Sequence, residues 1–259
     1  MDEDDVHDSK MNQSSFDSAS YEEAYPSGMH THWWNLARNQ IINRTLIKYL
    51  PPDKTLLEIG CGTGIVTSYL EDKGWKIKGI DTGTPPRSIV RSKNLILGED
   101  ALRMPLTERL KFEAIALFDV IEHIDDVQDF LNKLLDHFPN ARKMIFTVPA
   151  RQEIWSNYDT RFGHYRRYSI KQLNEDVSNG GMRLEYCSYF FHGIYPLTLA
   201  MLKLAKRSRA TKLSGPTSPL AQKIHCAIAK MFSLEFLVLP GHLAGTSLIG
   251  VAERLPPKH

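Results

Sequence analysis

Between Leu56 and Gly64 the chain reads Leu-Leu-Glu-Ile-Gly-Cys-Gly-Thr-Gly, so Glu58, Gly60, Gly62 and Gly64 stand two residues apart. Glycines at that spacing let a backbone turn tightly and approach a ligand with no side chain in the way. Asp81 follows 21 residues after Gly60. At that distance an acid closing the next strand can accept hydrogen bonds from ribose hydroxyls. A glycine loop by itself is a weak sign. A loop set between a strand and a helix, with an acid correctly placed beyond it, predicts a nucleoside site rather than a bare turn.

Two nucleoside cofactors suit such a loop. A dinucleotide site asks for a small residue three positions after Gly62, where close helix–strand packing is needed, and Ile65 stands at that end of the loop. Glu58 would also lie beside a pyrophosphate dianion. An acid there suits the cationic S-adenosylmethionine far better, which makes that cofactor the expectation and a nicotinamide oxidoreductase the alternative.

Methyl transfer from a sulfonium is an in-line displacement with a neutral leaving group, so the protein's main work is alignment and desolvation of the nucleophile. An oxygen or carbon nucleophile can also need a general base. His123 and His164 are the candidates, the first just beyond a strand and the second in the loop segment Gly163–Tyr168. Tyr158, Asp159, Arg166 and Arg167 are candidate substrate contacts, the two guanidinium forks suiting a carboxylate or phosphate. Each has a plainer reading: His123 as a packed strand-end residue, His164 as a loop anchor, the arginines as a solvated basic turn. His30 and His32 have no acid or cysteine nearby, and Cys61, Cys187 and Cys226 form no paired motif, so no metal site is expected. Trp33 and Trp34 are expected to pack an entry helix over the cofactor pocket.

The elements that must position these residues alternate. Apolar runs at 55–60, 76–81, 94–100, 112–119, 143–149, 183–190 and 247–254 read as seven strands. Between them lie helical patterns. Val127, Phe130, Leu131, Leu134, Leu135 and Phe138 form one stripe, and Ser169 with Gln172 gives a capping box. The alternation predicts an α/β fold with a Rossmann-like, mostly parallel seven-stranded sheet, whose ligands lie beyond the carboxyl ends of the strands. A helix starting near His32 and ended by Pro51-Pro52 would cap it.

The segments Leu56–Gly64, Asp81, Gly98–Asp100 and Phe118–Asp126 together resemble the successive motifs of class I S-adenosylmethionine-dependent methyltransferases. The similarity is to small-molecule enzymes related to ubiquinone-biosynthesis O-methyltransferases. The stretch Val148–Ser169 resembles a subgroup associated with polysaccharide and glycolipid biosynthesis. The resemblance covers roughly residues 30–190 and returns at the last strand. It implies that Glu58, Gly60, Cys61, Gly62 and Gly64 hold the methionine part of the cofactor and Asp81 the ribose. Asp100 and Ala101 would then flank the adenine, and Asp119 would close the pocket. One departure is Thr82–Pro86, which stands where the family runs into a helix.

Residues 1–28 carry eight acids against Lys10 and no structural period, so they read as a disordered acidic tail before a domain spanning 29–259. The remainder holds 31 bases against 22 acids. A helical insertion over 191–246 separates the last two strands. From Tyr186 to Leu234 it has no Asp or Glu but seven bases: Lys203, Lys206, Arg207, Arg209, Lys212, Lys223 and Lys230. An apolar stretch followed by bases suits either a lid with a solvated basic face or a peripheral contact with an anionic membrane surface. The acceptor would be a small or lipid-linked molecule. No nucleic-acid module accompanies the charge, and no signal peptide or spanning segment is evident, which points to a cytoplasmic protein. The rival from another class is a non-catalytic binding subunit that keeps the fold.

Overall fold

The computed structural model describes Tyr21, Pro26, residues 28–205, Ser208 and residues 214–256. Most of the expected acidic tail, and Lys206, Arg207, Arg209 and Lys212, lie outside the described residues. Helix α1 (Trp33–Tyr49) opens on His32, whose ring accepts from the Trp34 amide, and it stops before Pro51. Then come β1 (Thr55–Ile59), α2 (Ile65–Asp72), β2 (Lys76–Asp81), β3 (Leu95–Leu97) and the short α3 (Leu106–Arg109). They are followed by β4 (Ala114–Phe118), α4 (Val127–His137), β5 (Lys143–Pro149), α5 (Asn157–Arg161) and α6 (Ile170–Asn179). The chain finishes with β6 (Met182–Phe190), α7 (Ile194–Leu204), α8 (Pro219–Val238) and β7 (Ser247–Arg254).

The seven strands form one sheet in the order β3-β2-β1-β4-β5-β7-β6. Neighbours from β3 to β5 are parallel, and β7 runs antiparallel between β5 and β6. All seven expected strands form. The third is shorter than its apolar run because Gly98 turns the backbone left-handed (φ 78) and ends the ladder. Between β2 and β3 there is a single 3-10 turn, Arg87–Ile89, as the Thr82–Pro86 interruption suggests.

Strand β4 shows why the sheet is sandwiched. All five of its residues are buried, and alternate side chains enter different cores. Ala114, Ala116 and Phe118 meet α1, α2 and α8 through Ile41, Leu46, Leu70 and Phe232. Ile115 and Leu117 meet α4 and α6 through Leu131, Leu134, Leu173 and Val177. Each large aliphatic side chain so buried contributes roughly 1.5–3 kcal/mol. The capping box at Ser169 is present, with Gln172 bonding back to the Ser169 amide.

Candidate active site

The loop after β1 takes its shape from three left-handed glycines, Gly60 (φ 75), Gly62 (φ 54) and Gly64 (φ 77). A Cβ on Gly60 would come 2.6 Å from Val120 Cγ2, and one on Gly64 would come 2.7 Å from Leu95 Cδ1. Conformation and space therefore both demand glycine at these two positions. Cys61 is buried in the loop, and that burial raises its thiol pKa and keeps it protonated. Asp81 anchors the turn: Oδ2 accepts from the Gly62 amide at 2.7 Å, and Oδ1 accepts from the Gly83 amide at 2.8 Å. Oδ1 also accepts from the Tyr21 hydroxyl at 2.9 Å. A carboxylate offers about four acceptor positions. Asp81, expected to meet a ribose, thus also holds its own loop. Tyr21 is 3 % exposed, so at this residue the expected disordered tail supplies a buried contact to the site.

Arg38 is a residue the sequence reading passed over. It sits on the buried face of α1, and its Nη2 lies 2.6 Å from Asp119 Oδ2 and 3.2 Å from Thr147 Oγ1. Its guanidinium also stands over the rings of Trp34 and Phe118. The i, i+4 row Trp34, Arg38, Ile42 placed a charge among apolar residues, and that was the signal available. Asp119, expected to close the pocket, occupies the first position after β4 with left-handed backbone (φ 57). Arg151 (φ 71) after β5 and Phe191 (φ 61) after β6 share that backbone state, so three non-glycine residues mark one rim. Such positions cost of order 1–3 kcal/mol each and gather at functional sites.

Glu58 is buried on β1 and accepts from Thr67 Oγ1 at 2.5 Å. Burial pushes its carboxyl up to about 7, against the pull of Thr67 and Arg38. Between its ordinary value of 4.5 and about 7, the folded protein holds a proton that the unfolded chain has released. This residue's contribution to stability therefore falls as pH rises through that window and levels off above it. Replacing Glu58 by Gln should remove that decline from melting temperatures recorded across the window. Parallel curves for the two proteins would place the titration on another group.

Asp100 caps the 3-10 turn Ala101–Arg103, accepting from the Leu102 amide at 2.9 Å, and Ala101 is buried beside it. The Arg38 Nε, Asn39 Oδ1 and Thr63 Oγ1 atoms are buried without a hydrogen-bond partner among the described residues. The glycine-turned loop, the Asp81 carboxylate, the Glu58 acid and these orphaned polar atoms fit a polar, cationic nucleoside such as S-adenosylmethionine.

On the β4–β5 side His123 and His164 meet edge to face, with ring centroids 4.7 Å apart. His164 Nδ1 lies 3.1 Å from Asp159 Oδ1. Burial alone would raise the Asp159 carboxyl, but His164, Arg167 and the Ser156 amide together hold it below the usual carboxylate range. As an anion Asp159 can only accept, so His164 Nδ1 carries a proton and donates it to this carboxylate. Burial, and then the neighbouring His164, bring His123 down to about 4, which leaves it neutral. Glu122 beside them is buried, its Oε2 has no partner among the described residues, and burial followed by Asp119 raises its pKa well above normal. Among the described residues, Glu122, His123 and His164 make one group able to hold a metal ion, with ligand atoms within 4.8 Å of one another. The sequence reading, which looked for local spacing, did not foresee it.

Two of the expected substrate contacts are turned into the fold. Asp159 is fully buried and Arg167 is 5 % exposed. Arg167 Nε donates to Asp159 Oδ1 at 2.7 Å and Nη1 to the Ala150 carbonyl at 3.0 Å. Both serve to hold His164 and the loop. Arg166 turns the other way, donating to the Asp125 carbonyl at 2.7 Å. Tyr158 is half-buried with its ring against Phe162. Trp33 and Trp34 tie the cap to the insertion by packing on Phe191, with Trp33 also on Phe232.

A family model described as a methyltransferase domain matches residues 33–186, and the chain belongs to that family. Its sheet order is that of the class I S-adenosylmethionine-dependent methyltransferases. The ubiquinone biosynthesis O-methyltransferase of Pseudoalteromonas translucida is 30 % identical over 98 residues, 37 % of this chain and 38 % of that protein. The enzyme of the same name from Nitrosococcus oceani is 33 % identical over 93 residues, 36 % of each chain. The matched stretch thus spans little more than a third of these relatives. A Haloferax volcanii protein solved in complex with the Trm112 methyltransferase activator shares the fold, with a TM-score of 0.55 at 13 % identity. That alignment covers 93 % of this chain and 96 % of the other.

Proposed function

We propose that this protein binds S-adenosylmethionine in the Gly60–Gly64 loop and methylates a small or lipid-linked acceptor. The observation that carries the reading is the convergence on one rim of the glycine loop, Asp81 and the oriented pair His164–Asp159. When bound, the cofactor supplies an electrophilic methyl group on a cationic sulfur. The backbone of Gly60–Gly64 lets it approach, Asp81 accepts from ribose hydroxyls, and Glu58 favours positive charge nearby. His164 Nε2 takes the proton of an acceptor hydroxyl, while Asp159 holds the ring and stabilises the imidazolium that forms. Arg38 keeps Asp119 in place at the mouth.

Calorimetry should show binding of S-adenosylmethionine and S-adenosylhomocysteine and none of NAD. Replacing Asp81 by Ala should weaken it by about 1.5–3 kcal/mol, the usual loss for hydrogen bonds to a charged acceptor. An unchanged affinity in the folded variant, or saturation by NAD instead, would overturn the assignment. The orphaned Glu122 Oε2 favours a second reading of the catalytic group. In it Glu122, His123 and His164 would hold a divalent cation, which would supply Lewis-acid activation of an acceptor oxygen, while Asp159 fixes His164 from behind. Activity that survives exhaustive chelation selects the base; activity lost on chelation and restored by added metal selects the cation.

A further inference from the structure

Among the described residues, the helices of the insertion pack their inner side on the core. Helix α8 buries Ala229, Phe232 and Ser233 on the core side, and Arg44 of α1 donates to the Ser233 carbonyl. His225 accepts from the Trp33 amide at 3.1 Å. Helix α7 lies against Gln152–Ile154, where the Tyr195 hydroxyl bonds Glu153 at 2.8 Å and receives Arg151 at 3.3 Å. The insertion is therefore braced on the start of α1 and on the loop after β5, both of which border the crevice.

The outer side is apolar and bare. On α7, Leu197, Met201 and Leu204 recur at i, i+4 and i+7 and are 71, 46 and 86 % exposed. On α8, Leu220, Ile224, Met231, Leu234 and Val238 fall on one helical face, each at least 51 % exposed. That stripe runs for five turns, about 27 Å. Apolar surface of this extent on a folded protein marks an interaction site.

Charge chooses the partner. Lys203, Lys223 and Lys230 are exposed on these helices, and Lys223 and Lys230 immediately precede the stripe residues Ile224 and Met231. The one acid of α8, Glu235, is spent inward on the His192 and Gly193 amides. With Lys203, Lys223 and Lys230 exposed beside the stripe, a second copy of the same face would meet like charge. An anionic lipid surface satisfies both the apolar stripe and the lysines beside it. Among the described residues no helix is long and apolar enough to cross a membrane, so the contact lies in the interface plane.

We propose that the outer face of α7 and α8 docks this protein on an anionic bilayer surface. Because α7 and α8 brace the rim of the crevice, docking brings the site to amphiphiles held in that bilayer, a consequence that rests on the methyl-transfer reading. The test is co-sedimentation of the full chain with phosphatidylcholine vesicles, with and without phosphatidylglycerol, across a salt series. Binding should require phosphatidylglycerol and weaken with salt. Each base near such a surface is worth about fivefold in partition, so the triple variant Lys203→Gln, Lys223→Gln, Lys230→Gln should bind about a hundredfold more weakly. The variant Leu204→Ser, Ile224→Ser, Met231→Ser should lose the salt-resistant part of binding. S-adenosylhomocysteine binding, measured on the same samples, should stay intact in both. Absence of vesicle binding, equal binding to neutral vesicles, or binding indifferent to both variants would overturn the proposal. So would a concentration-dependent dimer that the serine variant dissolves, since a second copy would then cover the face. Vesicle binding without S-adenosylhomocysteine binding would uphold the docking and sink the methyl-transfer reading instead.

Discussion

Replacing His164 by Asn is expected to slow single-turnover methyl transfer by about 10²–10⁴-fold, the usual worth of a positioned acid or base. Cofactor affinity should stay near that of the parent protein, because the glycine loop and Asp81 lie on β1 and β2 and make no bond to this ring. Asn can keep a hydrogen bond to Asp159 but has no basic nitrogen to offer. The same substitution at His123 separates their roles. A ring already neutral at about 4 is a poor proton acceptor at ordinary pH, so His123→Asn should cost less unless the pair is holding a cation. Full activity in both variants would mean that the reaction runs on alignment alone.

Removing the carboxylate of Asp159 is expected to lower stability by about 3–5 kcal/mol, the cost of leaving a buried partner charge uncompensated. Arg167, with its Nε on Asp159, would keep only the Ala150 carbonyl as a charge-side partner in this pair of contacts. The Ser156 cap of α5 would also lose its reciprocal bond. In a protein of this size that corresponds to a drop of roughly 6–20 °C in melting temperature. The double variant Asp159→Ala, Arg167→Met should recover much of the loss, since no charge is then stranded. Acid adds a second check. The carboxyl is depressed in the fold, so its contribution is complete above its unfolded value of about 3.9 and fades as pH falls below it. The parent protein should therefore lose stability in that acid range more steeply than Asp159→Ala. If the single and double variants melt together, the pair is not what holds the loop.

The strands were legible because most lie buried on both faces and so appear as near-continuous apolar runs, β4 most plainly. The glycine loop was legible because its backbone needs are written in residue type. Long-range polar pairing left a fainter trace. Arg38 and Asp119 are 81 positions apart, and nothing local in either segment names the other. The inward position of Asp159 went unseen for the opposite reason. Its role is local, as the third residue after the Ser156 cap, and the Ser-x-x-Asp spacing could have warned that it faces inward. Once Asp159 is buried, Arg167 must follow it. Tyr21 escaped because the aromatics of the acidic stretch, Phe16, Tyr21 and Tyr25, fall at no structural period, even where one of them fills a site.

The position of β7 fixes when the sheet can be finished. This strand, Ser247–Arg254, lies between β5 and β6 and pairs with both. During synthesis β6 therefore has no neighbour in the sheet until β7 has emerged, and β5 keeps one open edge until then. Closing the β6–β7 pair across 56 intervening residues also carries a loop-closure cost, although that cost grows only slowly with length. A chain cut short before Ser247 would present the apolar β5 edge, Met144–Val148, as a template for other chains. Such truncations should aggregate rather than accumulate as a smaller folded domain, whatever the state of the cofactor loop on the opposite side of β4.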